Sequence, residues 1–310
     1  NDILFDESLC EQGRNFNNKI WNAFRLVQGW QVDGTAKAGD CQKKAVEWFA
    51  ALLREKNAEM KDLYGKYRLS EALMLVYNLF WDEFSSWYLE MVKPAYGQPI
   101  DKETYDATIR FFDALIKMLH PFMPFITEEL WQHIAERKEG ESIMTETLTM
   151  DAPSDKDAKT VEEVEQLKAL ITAVRGIRAQ KNISPKETLT LQVTAGDPLA
   201  AYAAVTMKMA NISSIDTVNQ KDDTAATFLV GTTEYAVPMG NLIDVEAETA
   251  KLVAEQQRLE GFLAGIEKKL GNERFVANAP AAVVEMERKK KADAESKIAA
   301  IKESLKKLGK

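Results

Sequence analysis

Through most of the first 183 residues apolar side chains recur every three to four positions, the period of amphipathic helices. Asp6 can cap a first helix running through Trp30, with Leu9, Phe16, Ile20, Ala23 and Val27 on one stripe. The turn-rich VDGTAKAGD (32–40) separates it from a second helix over about Cys41–Leu63. A third is predicted from Ser70 to Lys93, stopped by Pro94. It carries Leu73, Tyr77, Phe80, Phe84 and Tyr88 plus Trp81 and Trp87, so it is apolar nearly all round and should be central. Asp101 opens a fourth helix bearing Tyr105, Ile109, Phe112, Ile116 and Leu119. HPFMPFITEELWQ (120–132) then sets two prolines close together. A proline breaks a helix from within but is tolerated at its first position. Pro121 is therefore expected to end the fourth helix and Pro124 to begin a fifth, with Phe122, Ile126, Leu130 and Ile134 as its core stripe.

Beyond an acidic, polar loop (138–158) a long junction helix is predicted over about 157–183. From Thr188 the period changes: TLTLQV alternates, PLAAYAAVTMKMAN is helical, SIDTV is short and β-like, and TFLVGTTEYAVPM reads as a strand pair. From Val245 the pattern becomes heptad. Val245, Leu252, Leu259 and Ile266 form one column; Thr249, Gln256, Leu263 and Leu270 form the other. After the break GNERFVANAP, Val284, Lys291, Ile298 and Leu305 alternate with Glu287, Ala294, Ile301 and Leu308. The expected fold is mainly α: an antiparallel helical bundle (1–183), a small α/β module (184–244) and an antiparallel coiled-coil hairpin (245–310) whose arms would each be about 40 Å long.

Composition adds two constraints. No apolar run approaches a membrane span and no basic region precedes an apolar stretch, so a soluble, cytoplasmic protein is expected. Cys10 and Cys41 lie far apart and only His120 and His133 could join them, which excludes a zinc knuckle or a CxxC pair. The formal charge of −8 speaks against a nucleic-acid partner until it is divided along the chain. Residues 246–310 hold 14 Lys and Arg against 11 Asp and Glu; the remainder holds 26 against 37. An acidic body thus carries a basic C-terminal arm.

No glycine-rich phosphate loop, nucleophile elbow or metal-ligand cluster is found. The paired acids Glu128 and Glu129 fall in the first turn of the fifth helix, where they complement its dipole rather than form a catalytic pair. The first helix says more. Opposite its apolar stripe lie Asn15, Asn18, Asn22 and Arg25, with Arg14, Lys19 and Trp21 alongside. Amides and guanidinium groups can read the edges of unpaired bases, and an indole can stack on them. The alternative is that these amides bond to neighbouring helices. On the hairpin, Lys268, Lys269 and Arg274 precede the break, and Arg288, Lys289 and Lys290 follow it. Charge runs on coiled coils are commonly solvated faces, but their concentration in the one basic segment suits a phosphate backbone.

Four ordered motifs carry a resemblance. HPFMPFITEELWQ closely resembles the helix corner in the anticodon-binding domain of class I aminoacyl-tRNA synthetases of the valyl, isoleucyl and leucyl group. RNFNNKIWNAFRLV (14–27) is similar to the first-helix signature of the valyl family, YNLFWDEFSSWYLEMVKP (77–94) to its third-helix motif, and NERFVANAPAAVVEMER to its coiled-coil loop. Where that family commonly has Cys-Asp this chain has Ser85–Ser86, so no role transfers there. Two distant cysteines do not suit the zinc module of isoleucyl enzymes, and leucyl enzymes typically lack the long hairpin; the same region of either remains the alternative within the group. The resemblance implies a C-terminal fragment, without the HIGH-like and KMSKS-like signatures of the catalytic domain and inactive alone. It needs no cofactor of its own, whereas the whole enzyme uses ATP and Mg²⁺ to attach valine to its tRNA. It also implies valine tRNA as partner to a monomeric protein. The bundle would grip the anticodon, whose identity lies in the middle A and last C, through Arg14, Asn15, Asn18, Lys19, Trp21, Asn22 and Arg25; the hairpin would lean on the tRNA elbow. A rival reading is a helical scaffold whose coiled coil binds protein. That arm should expose an apolar stripe beyond its seam, and the heptads leave little apolar material for one.

Overall fold

The computed structural model describes residues 6–194, 196–220, 225–239, 245–271 and 281–307. These are mostly helical, with a small mixed sheet. Asp6 accepts the Ser8 N–H at 2.9 Å and starts α1 (Glu7–Gln28). The helix ends at Gln28 instead of Trp30 because the chain beyond is drawn into a two-residue parallel pairing, Val32 with Ile100 and Asp33 with Asp101 (β1 and β2). Its buried positions begin at Phe16; Leu9, expected on that stripe, is 61% exposed in the first turns, where no described residue covers the stripe.

Helix α2 spans Asp40–Gly65. The predicted third helix is central, as expected, but changes pitch: α3 (Leu69–Asn78) passes into a π-helical stretch (Leu79–Tyr88) and then α4 (Leu89–Val92). There Leu89 N–H bonds to Phe84 O, and Ser86 Oγ donates to Trp81 O at 2.9 Å. Side chains four apart drift by about 40° per step on an α-helix; wider winding removes much of that drift and keeps Phe80, Phe84 and Tyr88 facing inward. Phe49 of α2 sits with its ring 5.4 Å from Phe84 and 5.0 Å from both Tyr88 and Phe111. Tyr88 Oη and Thr108 Oγ1 are 2.8 Å apart, and burial pushes the phenol well above its usual range.

Asp101 caps α5 (Lys102–Leu119) by accepting the Thr104 N–H at 2.8 Å. The two prolines act as their positions require: α5 stops before Pro121, and Pro124 is the first residue of α6 (Pro124–Ile134). His120 Nδ1 lies 2.7 Å from Thr127 Oγ1, which also donates to Met123 O, closing the corner. Leu130 is buried with Thr127 and Trp131, while Phe122, Ile126 and Ile134 are only half-buried. Glu128 and Glu129 fall beyond the first turn, because the helix already starts at Pro124, so the expected pairing with its dipole does not occur; Glu128 instead accepts from Ser142 Oγ at 2.7 Å and Ile143 N–H at 3.1 Å, tying down the following loop.

Helix α7 (Asp155–Lys181) opens on a reciprocal cap, Asp157 Oδ2 accepting the Ser154 N–H at 2.9 Å and Ser154 Oγ the Asp157 N–H at 3.3 Å. Arg54 of α2 forks onto the same carboxylate and holds its pKa well below the usual range. A lowered carboxylate pKa contributes stability that is present above the unfolded value and lost as pH falls through the folded one. Arg54→Gln should therefore cost about 1–2 kcal/mol near neutrality and progressively less below about pH 4, measured by urea unfolding across pH.

The mixed sheet runs β4-β3-β6-β5, from β3 (Leu189–Val193), β4 (Ile212–Thr217), β5 (Ala226–Val230) and β6 (Thr233–Val237). β3 and β4 are parallel, joined through α8 (Ala203–Ala210), and β5 and β6 are antiparallel. Helix α8 is pinned to the helical layer by Lys208, whose ammonium donates to Met91 O at 2.6 Å and Lys93 O at 2.8 Å, and by Arg175, which donates to Met209 O at 2.8 Å. Burial lowers the Lys208 pKa. Residues Pro185–Pro238 accordingly cluster with Asn1–Ile177 in one compact unit; Arg178–Ser184 and Met239–Lys310 form a second.

In the second unit α9 (Val245–Leu270) and α10 (Ala281–Lys307) lie side by side. Ion pairs Lys269–Glu287 (3.8 Å), Lys291–Glu267 (2.9 Å) and Lys302–Glu260 (3.9 Å) show that they run in opposite directions. The heptad residues turn inward: Leu259, Ile266, Val284, Glu287, Ala294 and Ile298 are buried, and Gln256, Leu263, Leu270, Lys291 and Ile301 half-buried. Val245, Thr249, Leu252, Leu305 and Leu308 fall outside the residues whose side chains are described.

Candidate nucleic-acid interface

The rotation of α1 is set by its aromatic contacts. Phe16 packs 4.5 Å from Tyr77 and 6.0 Å from Phe80, and Phe24 lies 5.9 Å from Phe112. With these inside, Arg14, Asn15, Asn18, Asn22 and Arg25 are all exposed. Asn15, Asn18, Asn22 and Arg25 have no side-chain hydrogen bond or ion pair among the described residues, and Arg14 has only a loose contact with Glu11 at 3.7 Å. An exposed pair of that length contributes little. The amides therefore do not hold α1 to its neighbours.

Lys19 and Trp21 flank this face. Both are half-buried: the Lys19 ammonium lies 5.2 Å from the centre of the Trp81 ring, and the Trp21 ring 5.7 Å from that of Phe24. Trp81 in turn stacks on Tyr77 at 5.7 Å, so an aromatic pair borders the polar face on the Lys19 side. That border was readable as an aromatic pair spaced by four residues, but its nearness to α1 depended on tertiary packing.

On the arm, Lys268, Lys269, Arg288, Lys289 and Lys290 are exposed, and Arg274 lies outside the described residues. Glu287 sits 2.8 Å from Lys290 and 3.8 Å from Lys269, partly neutralising both. Lys268, Arg288 and Lys289 have no ion pair among the described residues. The expectation that the seam absorbs nearly all apolar material fails at Val253, Phe262, Val283 and Met286, all of them exposed. Val283 and Met286 lie three apart and so share one side of α10 as a short exposed apolar pair.

Elsewhere cations are mostly spoken for. A groove of about 570 Å³ beside α5 is lined by Arg54, Arg110, Lys117 and Arg137; all but the exposed Arg110 pair with Asp157 or Asp113. No group of three or more His, Cys, Asp or Glu side chains among the described residues could hold a metal ion. No helix among them is long and apolar enough to cross a membrane.

Residues 46–194 match the family model described as the anticodon-binding domain of tRNA ligase, and 244–309 match that of the valyl-tRNA synthetase tRNA-binding arm. The first match begins after α1, so it includes none of the α1 candidates. Among similar proteins are the valine–tRNA ligases of Phocaeicola vulgatus (61% identical over 98% of this chain) and Bacteroides thetaiotaomicron (60% over 98%). That of Porphyromonas gingivalis is 55% identical over 99% of the chain. Aligned regions cover 34–35% of these relatives, so the chain spans about a third of the length of the curated relatives it matches. On these matches the chain belongs to the valyl-tRNA synthetase family and corresponds to the anticodon-binding and tRNA-arm part at the C-terminal end of its members.

Proposed function

We propose that this chain binds valine tRNA at two places. An antiparallel helical bundle (1–183) holds the anticodon stem-loop, and an antiparallel coiled-coil arm (245–310) braces the elbow, with 184–244 as an intervening α/β module. The observation that carries the reading is the outer face of α1, where amides and guanidinium groups stand exposed and, the loose Arg14–Glu11 contact aside, have no side-chain hydrogen bond or ion pair among the described residues. Groups of this kind bond to the edges of unpaired bases and to phosphate. Arg14, Asn15, Asn18, Asn22 and Arg25 serve as contacts there, with Lys19 and Trp21 at the margins. Lys268, Lys269, Arg274, Arg288, Lys289 and Lys290 serve the elbow, where shape and phosphate are read. In this reading the attachment of valine, with ATP and Mg²⁺, belongs to the parent enzyme, and this chain contributes binding. The setting is a cytoplasmic monomer.

Fluorescence anisotropy with labelled valine tRNA tests this. Affinity should fall steeply with salt, and replacing Asn22 and Arg25 by Ala should weaken binding by about 1–3 kcal/mol. Trp21→Ala should cost about as much if its exposed edge stacks on a base, and nothing if the ring only packs on Phe24. Equal affinity for an unrelated RNA of the same length would refute anticodon recognition. The protein-scaffold reading keeps one observation in its favour, the exposure of Val253, Phe262, Val283 and Met286.

A further inference from the structure

Between α4 and β2 the chain makes a four-residue turn, Ala95–Tyr96–Gly97–Gln98, closed by Gln98 N–H donating to Ala95 O at 2.9 Å. Gly97 takes φ +75°, the third-position geometry of a type II turn, so a side chain there would be strained and Tyr96 is left at the tip. Pro94 and Pro99 flank the turn and fix their own φ angles. Its two ends are braced independently. Lys208 holds the carbonyls of Met91 and Lys93 on one side, and on the other Ile100 N–H donates to Gln31 O at 2.8 Å. A rigid, braced turn thus presents a tyrosine that is fully exposed.

Its position selects among partners. The Ile100–Gln31 bond and the β1–β2 pairing place the turn at the C-terminal end of α1, which carries Arg25 in its last turn. The shallow depression beneath it is lined by Lys37, Gln42, Gln98 and the two prolines and by the buried Val92, Ile100 and Asp101, and Lys37 is exposed with no ion pair among the described residues. A protein-docking site would surround an anchor aromatic with exposed apolar side chains; the exposed lining here is Lys37, Gln98, Pro99 and small residues, which, with Arg25 at the adjoining helix end, suits a base attached to phosphate. Among the described residues the other fully exposed aromatics, Tyr67 and Phe125, belong to the far end of α2, where Tyr64 stacks on Phe122, whereas Cys41 at its near end bonds to Met91 O.

We propose that Tyr96 is a stacking platform for an unpaired nucleobase of the RNA held by α1, extending that face past the helix end. This rests on the RNA-binding reading above. Stacking needs the ring and not the hydroxyl, and it involves no charge.

The test uses the full chain and a synthetic valine anticodon stem-loop carrying 2-aminopurine in its loop. Tyr96→Ala should lower affinity about tenfold and Tyr96→Leu nearly as much, while Tyr96→Phe keeps it. The salt dependence should not change, and the 2-aminopurine quenching seen with the parent chain and Tyr96→Phe should be lost in the other two. Melting temperatures should be unaltered, since the side chain packs on nothing. If Asn22→Ala and Arg25→Ala weaken binding while Tyr96→Ala does not, the stacking role is wrong and the RNA reading stands. If Tyr96→Leu binds as well as Tyr96→Phe, the contact is apolar and the proposal fails. If the stem-loop does not bind at all, both fall together.

Discussion

Replacing Lys268, Arg288 and Lys289 together by Gln is expected to lower the affinity for full-length valine tRNA about a hundredfold near 0.1 M salt. The slope of log K against log salt should become shallower by about 2–3. The three are the exposed arm cations without an ion pair among the described residues, so their field is not spent on protein carboxylates. Each phosphate that the protein no longer neutralises keeps roughly 0.7–0.9 counterions condensed on the RNA, worth about five- to eightfold in affinity at that salt. Lys269 and Lys290 should matter less, because Glu287 already takes up part of their charge. Gln keeps the aliphatic stem and a good helix propensity, so the arm should stay folded, as circular dichroism would verify. An isolated anticodon stem-loop, which has no elbow, should bind the variant as well as the parent. Full-length tRNA binding with an unchanged salt slope would remove the arm from the RNA interface. Attention would then pass to Phe262 and Met286 as protein-docking residues.

How much of this was legible beforehand follows from which interactions are local. Caps and breakers are local: Asp6, Asp101 and Pro124 begin helices where a sequence reading puts them, because each acts on backbone groups within one turn. The heptad columns were legible for a related reason, since one period repeated along a segment leaves a single solution for its buried side. The outer side of α1 followed from the position of Phe16, Ile20, Ala23 and Val27, and the exposure of the Asn and Arg residues is the complement of that stripe.

What failed depends on distant partners. Leu9 continues the stripe in period yet is exposed, because burial requires an element opposite it. The π-helical stretch reads as an ordinary helix in any windowed pattern; only the strict spacing of Phe80, Phe84 and Tyr88 hints at wider winding. Nothing in the sequence sets Tyr96 apart, since its presentation comes from Lys208, more than a hundred positions away in sequence, and from the pairing of β1 with β2. Arg54 and Asp157 are similarly remote, and nothing in the acidic run before α7 distinguishes the one carboxylate that is paired.

Lys168 poses the sharpest problem of this kind and carries the largest expected effect on stability. It is a lysine in a helix of mixed charge, yet it is buried. Its ammonium pairs with Glu83 of the π-helical stretch and bonds to Glu165 at 2.6 Å, and it lies 4.9 Å from the Trp48 ring and 5.8 Å from that of Trp87. Lys168→Met should destabilise the fold by about 3–5 kcal/mol near pH 8, since the Glu83 carboxylate would be left without its cation. Burial already raises the Glu83 pKa, with Lys168 pulling it back; removing the lysine lets it rise further. A raised carboxyl pKa means that the native state binds more protons than the unfolded one between the two values, so stability falls as pH rises through that window. The deficit of the variant, read from urea midpoints, should therefore be small at about pH 5 and grow toward about pH 8. Adding Glu83→Gln should recover most of the loss and flatten its pH dependence. A deficit that is the same at both pH values and survives the second substitution would assign the cost to the missing packing of the lysine stem and ammonium on Trp48 and Trp87, with the ion pair contributing nothing of its own.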